Sequence, residues 1–222
     1  DKCLRMKSNI ARFVTSLGVE LGVQLRWSLE ESIPGGKVII VDGNYEDQKD
    51  LHDSLTEKIS SDGQKPLDML FCVPPHMVHE DSDGNRTSTL GTTLESWGHY
   101  IWDGVSSDIR RGYPTSVAQL RIVQYDSCRG LEGWTSVNLG LDEFYEYKMA
   151  EFQMHSEGNL DNKLEGETAD RAHFHAVRWL MIPLTRAIDT LVISIEREHS
   201  PLRTALIDTC NKHGDFATWI GK

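Results

Sequence analysis

Residues 67–73, Leu-Asp-Met-Leu-Phe-Cys-Val, are apolar at almost every position and run straight into Pro74 and Pro75. A strand with one solvated face alternates apolar and polar side chains, so an unbroken run implies that both faces are covered. The two prolines end it, since neither donates to a ladder. Strands of this kind belong to parallel sheets with helices packed on both sides.

The rest of the chain supplies the partners. Lys37–Val41 (KVIIV) reads as a β-branched strand stopped by Asp42 and Gly43, and Leu51, Leu55 and Ile59 mark a helix ending near Gly63. Before it, Ile10, Phe13, Val14, Leu17 and Leu21 recur at helical spacing, predicting a helix over 8–22 with Ser8 or Asn9 as its cap. A helix is expected over 89–100, strands over 119–125, 134–141 and 191–195, and a long helix from about Ala169. Ser200 followed by Pro201 starts a last helix running to about Lys212. The polar stretch 153–168 buries little and reads as a mobile loop. These alternations predict one α/β domain over 1–222, with three layers and a mostly parallel central sheet flanked by helices.

No run approaches the 18 apolar residues of a membrane span, so a soluble protein without a membrane partner is expected. Cys3, Cys72, Cys128 and Cys210 form no C-x-x-C pair, which argues against a zinc ribbon or a disulfide framework and for reduced thiols in a cytoplasm. The first residue is Asp1 rather than Met, and the simplest expectation is a domain cut from a longer protein. A net charge of -11 means that any grip on nucleic acid must be local or shared. His76 and His79, and the Asp81, Asp83, Asn85 series, read as solvated loop rather than as metal sites.

Two segments carry chemistry. Ser127–Trp134 (SCRGLEGW) directly follows a strand, and Leu184–Asp189 (LTRAID) directly precedes one. Ligands of open parallel sheets collect at the carboxyl ends of strands, so Arg129, Gly130 and Glu132 are expected where a phosphate or ribose is met. Gly130 lets backbone N–H groups come close to such a ligand. Arg186 is a planar donor that stays charged and suits a phosphoryl group in transit. Taken singly, the first reads better as a turn with a surface ion pair, and the second as a helix end whose positive charge meets the macrodipole. Their joint occurrence beside strands favours the functional reading.

The stretches YDSCRGLEGW and WLMIPLTRAIDTLVIS resemble motifs V and VI of the UvrD/Rep-like superfamily 1 helicases, roughly T-h-H-x-x-K-G-L-E and Y-V-A-h-T-R-A. CLRMKSNIARFV is similar to motif IV, which puts the motif arginine at Arg5, and the likeness extends over most of the chain. The resemblance implies the C-terminal, second RecA-like domain of an ATP-dependent DNA helicase or translocase. In such a domain Arg5 and Arg186 meet the γ-phosphate, Glu132 the ribose hydroxyl, and Gly130 and Arg129 the phosphate side. Ser127 is the nominated contact to nucleic acid. The implied partners are the protein's own N-terminal RecA-like domain and single-stranded or duplex DNA.

The sequence departs from the pattern at Gln124 and Asp126, where the family has Thr and His, and at Pro183, which falls inside the motif VI helix. An Asp facing a phosphate backbone repels it. No G-x-x-x-x-G-K-[ST] occurs, Gly36-Lys37 being followed by Val38, and Asp42 resembles an Mg²⁺ ligand only by position. ATP and Mg²⁺ are therefore expected to be bound mainly by the preceding domain, with this chain inactive alone. The alternative is a non-catalytic, helicase-like interaction or regulatory module.

Overall fold

A computed structural model describes residues 6–25, 33–157 and 165–221, with backbone alone at 156, 157 and 165–168. Along the chain run α1 (Ser8–Glu20), β1 (Lys37–Asp42), α2 (Lys49–Ser61), β2 (Met69–Val73), β3 (Val78–Glu80), β4 (Arg86–Ser88), α3 (Thr89–Ser96), β5 (Tyr100–Asp103) and α4 (Ser107–Arg111). There follow β6 (Gln119–Gln124), β7 (Gly133–Asn138), α5 (Leu141–Glu157), α6 (Glu165–Leu184), β8 (Ala187–Ile195), α7 (Pro201–Lys212) and β9 (Ala217–Gly221).

Seven strands form one sheet in the order β5-β6-β2-β7-β8-β1-β9, and every ladder in it is parallel. The expected three-layer, RecA-like α/β architecture is what is observed. β2 lies inside the sheet, and its side chains alternate between two cores, which is why its sequence is apolar throughout. Leu70 and Cys72 pack with Ile10, Phe13 and Leu17 of α1, Phe144 of α5, Leu180 and Leu184 of α6, and Leu202 and Leu206 of α7. Met69, Phe71 and Val73 face the other way, against Leu55 and Ile59 of α2 and Leu90 and Leu94 of α3. β1 divides in the same manner, Val38 and Ile40 to one core and Ile39 and Val41 to the other.

Some expectations need correction. The helix over 89–100 ends at Ser96, because Gly98 turns at φ 93° and Tyr100 begins the edge strand β5. The strand over 134–141 stops at Asn138, and Leu141 opens α5, which runs as far as Glu157. The polar stretch 153–168 is thus helical at both ends, and residues 158–164 lie outside the described set. The cap of α1 is Lys7, with no side-chain bond, while Asn9 donates its amide to the Gly36 carbonyl at 3.1 Å. Ser200 caps α7 as expected, accepting from the Leu202 N–H at 3.3 Å. Asp81 closes the hairpin between β3 and β4 by accepting from the backbone of Asp83 and Asn85. Asp42, whose position resembled a metal ligand, is held by both arms of Arg203. Among the described residues no helix is long and apolar enough to cross a membrane.

Candidate functional site

β6 and β7 flank β2 and run the same way, so residues 125–132 must return the chain from the end of one strand to the start of the other. They do so through a single 3-10 turn, Tyr125–Ser127, without a crossover helix. Two buried side chains fasten this return. Tyr125 donates its hydroxyl to the Leu139 carbonyl at 2.7 Å and stacks on Phe144 at 4.2 Å, and Cys128 lies buried beside Cys72. The shared hydrogen bond and then burial push the Cys72 thiol up. The same bond pulls the Cys128 thiol down.

With those anchors in place, Asp126, Arg129 and Gly130 are left exposed on the outer side of the turn, and Ser127 is half-buried. Gly130 adopts φ 88°, a conformation costly for any side chain, and the space around its missing Cβ is open. Arg129 lies over the Trp179 ring, 5.4 Å from its centre. Asp126 faces Lys148 at 2.9 Å, so its charge is met within the protein. Burial alone lowers the Lys148 ammonium's affinity for its proton, but Asp126 and Glu151 outweigh that and raise it.

The motif VI segment meets this turn from the next strand. The Gly133 N–H donates to the Arg186 carbonyl at 3.0 Å, and Gly133 pairs with Ala187 at the start of the β7–β8 ladder. Gly133 has to be small: a Cβ there would lie 2.6 Å from the Thr135 carbonyl oxygen. The half-buried Arg186 donates Nε to the Ile182 carbonyl at 2.9 Å, Nη2 to Thr185 Oγ1 at 2.9 Å, and Nη1 toward the Leu131 carbonyl at 3.4 Å. It therefore caps the C-terminus of α6, where carbonyls lack helical partners and positive charge is favoured. Pro183 sits one residue from the helix end, and its carbonyl accepts the Arg186 N–H at 3.0 Å. Beside this corner Arg121 ties two strand starts together, donating to the carbonyls of Leu67 at 2.6 Å and Glu132 at 2.5 Å.

The two segments thus come together, but at the other edge of the sheet from the one expected. Glu132 and Arg186 immediately precede β7 and β8, so they sit at the amino ends of these strands. The carboxyl-end rule describes loops that leave a strand, whereas this loop doubles back before its last residues are reached. Ser127, next to the end of β6, belongs to the far end of the same return. Arg5 and its neighbour Leu4 lie outside the described residues.

One cation at this edge was not singled out from the sequence. The Lys7 N–H donates to the Ile188 carbonyl at 2.9 Å, its ammonium pairs with Asp189, and it lies 4.8 Å from the centre of the Trp134 ring. Lys58 reaches the same Asp189 at 3.0 Å and Asp62 at 2.6 Å. The signal was available: Lys7 is a second cation in the LRMKS run that supplied Arg5. Burial drives the Asp189 carboxyl up, but the bonds from Lys7, Lys58 and Thr190 prevail and hold it below the usual carboxylate range. Among the described residues no group of His, Cys, Asp and Glu side chains is placed to hold a metal ion.

No family profile matches the chain, and no curated protein matches it. Among solved structures it is similar to the C-terminal domain of a possible DNA helicase from Lactobacillus plantarum WCFS1, with a TM-score of 0.53 and 13% identity. The alignment covers 97% of this chain and 98% of that one. The two share a fold. At such identity the likeness speaks for architecture alone, and the roles of individual residues rest on the geometry described above.

Proposed function

We propose that this chain is the C-terminal motor domain of an ATP-dependent superfamily 1 DNA helicase or translocase, closing against a preceding ATP-binding domain. The observation that carries the reading is the meeting of Arg186 with the SCRGLEGW turn, Nη1 lying 3.4 Å from the Leu131 carbonyl. Nε and Nη2 hold the guanidinium at the helix end, and Nη1 points along a longer contact to the turn. A planar cation that keeps its charge at this corner is suited to an incoming phosphate. In this reading Arg186, with Arg5, meets the γ-phosphate, Arg129 and Gly130 line the phosphate side, and Glu132 binds the ribose. Ser127 contacts the DNA backbone. The preceding domain supplies most of the ATP and Mg²⁺ binding, and charge-assisted contacts of about 1.5 to 3 kcal/mol each draw the cleft shut until hydrolysis releases it.

A second reading, a non-catalytic interaction or regulatory module, is favoured by one specific observation. Two donors of Arg186 are already engaged by its own helix end, at Ile182 and Thr185. The experiment that separates the readings is Arg186→Ala in the protein carrying its ATP-binding domain. The motor reading expects ATP turnover to fall about 10³-fold with an unchanged circular dichroism spectrum. Turnover equal to that of the parent protein would falsify it.

A further inference from the structure

With 34 acidic against 23 basic residues, exposed arginines in this protein have many carboxylates to choose from. Arg86, Arg111 and Arg197 each hold one, whereas Arg110 donates to the Gly104 carbonyl and Arg12 is paired with no carboxylate among the described residues. The face formed by α5, α6 and the turn before β7 gathers three more arginines of the second kind. Arg129, Arg171 and Arg178 are all exposed there, and among the described residues none is paired with a carboxylate. What they meet instead is aromatic: Arg171 stands 5.8 Å from the centre of the Phe152 ring and Arg129 5.4 Å from that of Trp179. His175 links the two, 5.1 Å from Phe152 and 6.3 Å from Trp179. Phe174 is 43% exposed, its ring edge resting where Gly22 leaves room. Phe152, Arg171, Phe174, His175 and Arg178 line an open groove of about 350 Å³. Of the acids nearby, Asp126 and Glu151 are engaged by Lys148, and Asp170 is exposed next to Arg171.

We propose that this α5–α6 strip binds single-stranded nucleic acid, Arg171 and Arg178 meeting phosphates and the rings, Phe174 foremost, stacking on bases. Guanidinium groups interleaved with flat rings are what a sequence-tolerant single-strand site requires, because each nucleotide offers one anion and one π-face. An acidic peptide would use the cations and leave the rings idle. From Arg171 to Trp179 the helix rises about 12 Å, enough to present both cations and rings to one strand. The strip explains how a chain with a net charge of -11 holds a polyanion locally. Preference for DNA rests on the helicase reading above, whereas the strip stands on its own residues.

The test is fluorescence anisotropy of a labelled oligothymidylate of about a dozen residues with the 222-residue chain, without nucleotide, over a range of salt. Arg171→Ala with Arg178→Ala should weaken binding about tenfold and reduce the log–log salt slope by about 1.4, ~0.7 for each phosphate lost. Arg171→Lys with Arg178→Lys should restore the slope. Phe174→Ala should weaken binding about fivefold with the slope unchanged, since stacking releases no counterion. Arg86→Ala with Arg111→Ala, on another surface, should change nothing. Thermal melting confirms that each variant is folded. Absence of binding even at low salt, or parent-like binding by the Arg171 and Arg178 double variant, overturns the proposal. Displacement by polyglutamate as effective as by oligothymidylate also overturns it, in favour of an acidic peptide. If these variants lose the oligonucleotide while Arg186→Ala leaves turnover intact, the motor reading falls and the strip remains.

Discussion

The two edges of the central sheet handle charge differently. At the carboxyl edge, carboxylates serve the fold. Asp142 is fully buried and accepts the backbone N–H groups of Glu196 at 3.0 Å and Arg197 at 2.7 Å, fastening the end of β8 to the start of α5. Asp42 fastens α7 through Arg203. At the amino edge four cations stand among as many carboxylates, Asp62, Asp68, Glu132 and Asp189: Lys7 and Lys58 share Asp189, Lys58 also holds Asp62, Arg121 bridges two strand starts, and Arg186 closes the corner. An approaching anion should therefore be repelled less at this edge than at the carboxyl edge, where doubly wound folds ordinarily bind ligands. Net charge of the whole chain conceals that difference.

The largest effect that sharpens the contrast is expected at Asp142. Asp142→Ala leaves two buried-edge N–H groups without their charged acceptor and should cost about 3 kcal/mol, seen as a lower urea midpoint with an unchanged m-value. ATP turnover per folded molecule should stay level in the protein carrying its partner domain. A variant that unfolds no more readily but hydrolyses ATP more slowly would mean that the carboxyl edge is functional, and the division of labour would break.

Much of this arrangement was readable in advance, and the parts that were not have physical causes. β1 and β2 declared themselves because burial on both faces demands apolar residues at successive positions, and α7 because Ser200 and Pro201 form a local start signal. β5 and β9 were invisible: both are short edge strands, with half-exposed patterns that carry little periodicity. α5 was missed because its aromatic and charged residues do not form one apolar stripe. Phe144 and Tyr145 are buried, and so is Lys148, which is paired beneath Trp179. The association of SCRGLEGW with LTRAID followed from their order and their adjacency to strands. Their edge did not follow, because spacing alone does not say how far a short return has travelled before a given residue. Lys7 escaped notice for a related reason: its partner Asp189 is 182 residues away.

A middle-sized effect is expected at the amino edge. Asp189→Asn removes the carboxylate between two ammonium groups and should lower stability by about 1 to 2 kcal/mol at neutral pH, less than a fully enclosed pair because Lys7 and Lys58 can rehydrate. The sign of its pH dependence is fixed by the depressed carboxyl. A carboxylate held low in the folded state stabilises above its unfolded value near 4, and that contribution disappears as pH falls through the folded value. Urea titrations of parent and variant should therefore converge in acid and separate above about pH 4. With its two cations released, the variant should also gain more stability than the parent from added tripolyphosphate, through preferential binding to the folded state. Equal gains would remove the claim that this edge is the one more open to anions.

The smallest effect tests the crowding of acids at the opposite edge. Partial desolvation first, and then Glu143 and Asp142, raise the Glu196 carboxyl above its usual range. A carboxyl that binds its proton more tightly when folded favours the fold in acid and loses that advantage as pH rises through the folded value. Glu196→Gln should accordingly stabilise at neutral pH and have no effect below about pH 4. Because Glu196 is exposed, solvent screening limits the gain to at most about 0.5 kcal/mol, measurable as a small rise in the urea midpoint. Added salt should shrink that gain, since it screens the same repulsion. A loss of stability instead would mean that Glu196 is held by attraction, and the carboxyl edge would not be the anion-repelling one.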